Sequence, residues 1–105
     1  MRTRVNYHDD LMRDLKNSKI ALAYLNEALE GRNPQEFLLA LRDVAQAWGG
    51  MTKLSHLSKS PRVSLYKILS KHGNPEIQSL DNVLRAMGLR LAVTSDKRSS
   101  FKKAA

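Results

Sequence analysis

Apolar residues recur with a helical period as far as Met87, and then switch to alternate positions. In residues 8–16, Leu11 and Leu15 stand one turn apart, and Asp9 and Asp10 precede them, which predicts a short helix with acids at its positive end. A second helix is expected from Ser18 as its cap to about Leu29, with Ala21, Leu22, Leu25, Ala28 and Leu29 inward and Gly31 as the stop. The run "NPQEFLLALRDVAQAWGG" is the clearest helix. Asn33 suits the N-cap, Pro34 the first turn and Glu36 the third position. Phe37, Leu38, Leu41, Val44, Ala45 and Trp48 then form one wide stripe, ended by Gly49-Gly50.

Two short helices are expected next. One spans about Thr52 to Ser58, with Leu54 and Leu57 inward. The other spans about Pro61 to Lys71, with Leu65, Ile68 and Leu69 inward. Gly73, in "HGNP", is the expected left-handed terminator. A last helix after Pro75 places Ile77, Leu80, Val83, Leu84 and Met87 on one side and stops at Gly88.

In "LRLAVT" the period becomes two: Leu89, Leu91 and Val93 alternate with Arg90, Ala92 and Thr94. This predicts a β-strand. A lone strand leaves its backbone donors and acceptors unpaired, and the chain offers no second one. Two-fold pairing through Leu89, Leu91 and Val93 in a homodimer is the simplest solution. Strand addition to another protein, or a short extended tail packed on the helices, are the alternatives. The predicted class is mainly α: a helical bundle with one short C-terminal β-strand.

Composition narrows the chemistry. A chain of 105 residues, 42 % hydrophobic, suits a single modest core that gains from a second subunit or partner. The absence of cysteine excludes disulfides and thiolate chemistry, and fits a cytoplasmic protein. No apolar run approaches the roughly 20 residues of a membrane span, and the N-terminus lacks the apolar block of a signal peptide. His8, His56 and His72 fall on separate elements without metal-ligand spacing. There is no phosphate loop and no serine elbow, and Asp9 and Asp10 would diverge by about 100° on a helix. Neither catalysis nor a cofactor is expected.

Charge is unevenly placed. Residues 1–50 carry seven basic and seven acidic side chains, whereas residues 51–105 carry eleven and three, so the whole excess of +8 lies in the second half. No acid occurs between Asp43 and Glu76, yet Lys53, Lys59, Arg62, Lys67 and Lys71 all do. An acid-free basic segment suits phosphates, with a solvated soluble face as the plain alternative. The same segment has the spacing of a helix-turn-helix: Leu54-Ser55, a turn at Lys59, and Leu65 six residues on. Ser55 is small enough for close helix approach. Arg62, Val63, Tyr66, Lys67 and Ser70 would face outward, where arginine or lysine can meet guanine or phosphate, valine a thymine methyl and tyrosine a phosphate. An ordinary amphipathic helix would show the same pattern.

The pieces "AYLNEALE", "LLALRDVA", "SLYKIL", "GNP" and "LRAMGLRL", spread over residues 7–94, resemble the addiction-module antidote proteins, HigA-like antitoxins of type II toxin–antitoxin pairs. The resemblance implies an XRE/Cro-like DNA-binding domain, a cognate RelE/ParE-like toxin neutralised by binding, and autorepression of the shared operon, often by a dimer on palindromic double-stranded operator DNA. It divides the chain into an N-terminal helical extension (1–31), a helix-turn-helix domain with the C-terminal strand (32–95) and a basic tail (96–105). The DNA-contacting set is then Thr52, Lys53, Arg62, Val63, Ser64, Tyr66, Lys67 and Lys71. Where the family commonly reads glycine-leucine-serine, this chain has Lys59-Ser60-Pro61. A left-handed Lys59 would cost roughly 1 kcal/mol against glycine, and Ser60 is expected to cap in place of the usual serine.

Three functions fit these residues: a DNA-binding antitoxin, with residues 7–31 as candidate toxin surface; a stand-alone transcription regulator; and an interaction module whose basic face meets RNA or an acidic protein.

Overall fold

The structure, a computed structural model, describes residues 4–96. Six helices follow in order: α1 (Arg4–Leu15), α2 (Ser18–Glu30), α3 (Pro34–Ala47), α4 (Gly50–Ser58), α5 (Arg62–Ile68) and α6 (Ile77–Ala86). Among the described residues there is no strand. The basic tail falls outside them from residue 97 onward.

Helix α3 is the central element. Its Asn33 cap accepts from the Gln35 N–H at 3.0 Å, and Pro34 opens its first turn, as the sequence predicts. Phe37, Leu38, Ala40, Leu41, Val44 and Ala45 are buried along it. Helices α1 and α2 pack on α3, and α4 packs on both α3 and α6. Leu15, Ala21 and Leu25 from the first two helices join Leu54, Leu65, Leu69, Val83 and Leu84 in a single core. Trp48 fixes the C-terminus of α1 to that of α3, because its indole N–H donates to the Leu15 carbonyl at 2.7 Å.

Several expected details differ. Helix α1 begins well before Asp9, so Asp9 and Asp10 lie within it, and Asp10 pairs with Arg13. Asn17, not Ser18, caps α2, its side chain accepting from the N–H groups of Lys19 and Ile20. Leu22 and Leu29, expected inward, are 44 % and 55 % exposed, because α2 buries only the narrower stripe of Ala21 and Leu25. Leu57 and Ile77 also face out. The last helix is stopped as expected: Gly88 has φ 79°, and the Leu89 N–H closes onto the Leu84 carbonyl at 2.8 Å.

Gly73 has no positive φ. It is demanded instead by close approach, since a Cβ there would sit 2.2 Å from the Ile68 carbonyl oxygen. The expected strand forms no ladder in this chain. Beyond Leu89 the backbone runs without helix or strand to residue 96, and Leu91 and Val93 are exposed. The physical reason is the one the sequence raised: the described chain holds no second strand to pair with.

Candidate nucleic-acid interface

Helices α4 and α5 are joined by three residues, Lys59, Ser60 and Pro61. Lys59 adopts the left-handed conformation, φ 56° and ψ 36°, the one non-glycine residue with positive φ among those described. Its N–H bonds to the Ser55 carbonyl, as does the Ser60 N–H at 3.2 Å. The Ser55 hydroxyl donates in turn to the Ser60 carbonyl. Ser55 is therefore more than a small residue permitting close approach: it ties the turn to α4. Buried Ser58 donates to the Leu54 carbonyl at 2.7 Å, and Asn82 of α6 donates to the Ser58 carbonyl at 2.9 Å. With those bonds the turn has little freedom left.

Ser60 does not cap α5. Pro61 holds the N-cap position in extended geometry, φ −60° and ψ 144°, with no side-chain cap. Proline's fixed φ presets the entry to the helix and replaces what a hydroxyl cap would have added. The helix is also shorter than expected, ending at Ile68 rather than Lys71. Leu65 and Leu69 are completely buried and anchor it.

Anchoring one face exposes the other. Arg62, Val63, Ser64 and Lys67 point outward, and Lys71 is exposed in the turn beyond. Tyr66 is half-buried, with the guanidinium carbons of Arg62 and Arg42 at 6.0 and 5.0 Å from its ring centre. Arg42, on α3, was not among the sequence candidates. The signal was available: it is the only basic side chain between Arg32 and Lys53. The structure thus brings Arg42, Arg62 and Tyr66 together.

Thr52 and Lys53 are exposed on the first turn of α4. Lys53 lies back over Gly49 and borders a depression of about 490 Å³ with Lys16, Trp48, Leu54, Leu57 and Met87. No helix among the described residues is long and apolar enough to cross a membrane.

The face that results is basic, rigidly mounted and free of acidic side chains along α4 and α5. The family model of the probable addiction module antidote proteins matches residues 6–95, nearly the whole of the described structure. The chain belongs to that family. An uncharacterised protein of Haemophilus influenzae (strain ATCC 51907 / DSM 11121 / KW20 / Rd) is 32 % identical over 88 residues, which cover 84 % of this chain and 90 % of the relative. No solved structure matches the chain. Antidotes of addiction modules counter toxins, so membership points to an antitoxin role in a toxin–antitoxin system and implies a toxin partner of some kind.

Proposed function

We propose that this antidote is a DNA-binding antitoxin that neutralises a RelE/ParE-like toxin and, as a homodimer, represses the operon encoding both. Helices α4 and α5 act as an XRE/Cro-like helix-turn-helix, with α5 in the major groove. The observation that carries this reading is the division of α5 into two faces. Leu65 is fully buried with Leu69 just beyond, while Arg62, Val63 and Lys67 stand outward beside Tyr66. Two faces alone would suit any amphipathic helix; the absence of acids from the outer face, and from the whole stretch between Asp43 and Glu76, is what favours a polyanion. The laced turn supports the reading further, because base contacts require a helix held at a fixed angle.

On this assignment Arg62 and Val63 meet base edges near the leading end of α5, and Lys67 and Lys71 meet phosphates. Ser64 and Tyr66 add hydroxyl contacts. Thr52 and the backbone at the start of α4 approach the flanking strand. Neutralisation needs no turnover; α1 and α2 cover the toxin's working surface. The cytoplasm, where operon and toxin both lie, is the site of action.

The test joins two measurements. Co-expression with the neighbouring gene should rescue growth and yield a stable complex. A gel shift with the gene's own promoter should survive competitor DNA at physiological salt. Binding that is non-specific and vanishes near that salt would remove the operator-reading claim. Specific binding with no toxin partner would favour a stand-alone regulator.

A further inference from the structure

The depression beside Lys53 has no part in the DNA face or in the toxin surface. It forms where helix ends meet: α1 stops just before Lys16, α3 just before Trp48 and α6 just before Met87, while α4 starts at Gly50. Side chains interdigitate along helix flanks and run out at helix ends. A hollow of about 490 Å³ is left at the meeting point.

Its apolar side is made by Trp48, Leu54, Leu57 and Met87. Leu54 is buried beneath, whereas Leu57 is 56 % exposed. Its polar side is made by two lysines, Lys16 and Lys53, and no acid borders it. Neither ammonium has a hydrogen bond or ion pair among the described residues. The Lys53 stem lies across Gly49 and leaves no room for a Cβ there, so the bare glycine lets this lysine fold back beside the hollow.

Two unpaired cations beside an apolar floor complement one ligand chemistry: a negative group joined to an apolar body. A neutral or cationic apolar molecule would leave both ammoniums uncompensated. A bare phosphate, or a nucleic-acid strand, would leave Trp48 and Leu57 facing water. Size separates small molecules from proteins. Small-molecule sites enclose about 300–1,000 Å³ and are mainly apolar with a few polar groups, whereas a protein partner spreads over roughly 20–30 residues a side.

We propose that this depression binds a small amphiphilic carboxylate, its carboxylate paired with Lys16 and Lys53 and its apolar body over Trp48, Leu57 and Met87. The assignment does not rest on operator or toxin recognition, and its test uses neither.

Trp48 is the single tryptophan of the chain, so its fluorescence reports on the depression directly. Decanoate, kept below micelle formation, is the probe. Decanol and decyltrimethylammonium carry the same apolar chain on a neutral and a cationic head. With the full chain, decanoate should change the Trp48 emission saturably, and the other two should bind about tenfold more weakly. Lys16→Met with Lys53→Met, which keeps apolar stems, should weaken decanoate about tenfold, because each exposed ion pair contributes modestly. Leu57→Asp should weaken it at least as much, by replacing apolar wall with a like charge. Ile77→Asp, exposed at the opposite end of α6, should bind as the parent does. Circular dichroism confirms that each variant keeps its helices.

The absence of a saturable change with decanoate would overturn the proposal. Equal binding of the three head groups would overturn it as well, reducing the depression to apolar adsorption; that comparison uses the parent chain and depends on no variant's folding. Unchanged decanoate affinity in the double lysine variant or in Leu57→Asp would place the carboxylate elsewhere.

Discussion

The guanidinium of Arg42, on α3, lies 5.0 Å from the centre of the Tyr66 ring on α5. This contact links the central helix of the core to the helix assigned to DNA. It gives the Tyr66 ring a fixed support and puts a positive charge at the edge of the basic face. A partly exposed cation–ring contact is worth about 0.5–1 kcal/mol. Arg42→Ala should therefore lower stability by about that amount. On the DNA assignment, it should weaken operator and non-operator sequences alike and make the salt dependence shallower. Loss confined to one base position would show that Arg42 reads sequence directly.

Lys59 carries backbone strain that glycine would not. At φ 56° a side chain costs roughly 1–2 kcal/mol, from which glycine is free. Glycine also adds freedom to the unfolded chain, which offsets part of the gain. Lys59→Gly should therefore stabilise by about 0.5–1 kcal/mol, seen as a rise of a few degrees in Tm. The turn bonds from Ser55 to Ser60 do not involve the lysine side chain, so its geometry should persist. A drop in Tm would mean that the lysine side chain contributes a contact larger than the strain.

Helix existence was legible in the sequence because each stripe has its own period and its own stop. The Asn33-Pro34 start and the Gly88 stop are local chemistry, and both hold. What was not legible depends on neighbours. Leu22 and Leu29 have the right spacing for the core, but how wide a stripe α2 buries is decided by the approach of α3. Asn17 and Ser18 are both capping residues, and only the last turn of α1 fixes which one caps. Gly73 was read through its φ, when its reason is the Ile68 carbonyl beside it. In the candidate site, exposed Arg62, Val63 and Lys67 followed from periodicity, whereas Tyr66, expected outward, is half-buried beside Arg42 from another helix, and Ser70, also expected outward, lies past the end of α5 with its hydroxyl on the Lys67 carbonyl. The alternating segment 89–94 differs in kind: the pattern describes a strand, and the described residues hold no second strand to complete its ladder.

Gly73 offers a direct check on that distinction. Leu38 Cδ1 would also lie 3.1 Å from an added Cβ, so the alanine variant meets backbone on one side and core on the other. Gly73→Ala should destabilise by about 1–3 kcal/mol, the usual cost of overpacking. Denaturant unfolding measures this through its midpoint. A variant as stable as the parent would show that the turn after α5 can move away from Ile68 freely.

Alkaline stability should depend on Tyr24. Burial, and then the hydrogen bond that its hydroxyl donates to Asp43 at 2.7 Å, push the phenol well above its ordinary value. The neutral form is the one that the fold favours. Its contribution is fully present below about pH 10, where unfolded tyrosine begins to ionise, and is lost as pH rises toward the folded value. Tyr24→Phe should cost about 1 kcal/mol at neutral pH. The difference from the parent should shrink as pH rises above about 10. A constant difference across that range would mean that the phenol titrates alike in both states.

Arg62 and Lys67 occupy the same exposed face but should fail in different ways. Arg62 stands at the leading end of α5, where a guanidinium can take both acceptors of one guanine. Lys67 lies at its far end, where a flexible ammonium meets phosphate as a point charge. Arg62→Ala should cost about 1–3 kcal/mol and relax the preference at one base position, whereas Lys67→Ala should weaken all sequences similarly and lower the salt slope by about one. Neither side chain supports the core, so circular dichroism should be unchanged in both. A competition assay over a library of single-base operator variants separates the two patterns. A folded double variant that keeps full operator affinity would move the DNA surface off α5 altogether.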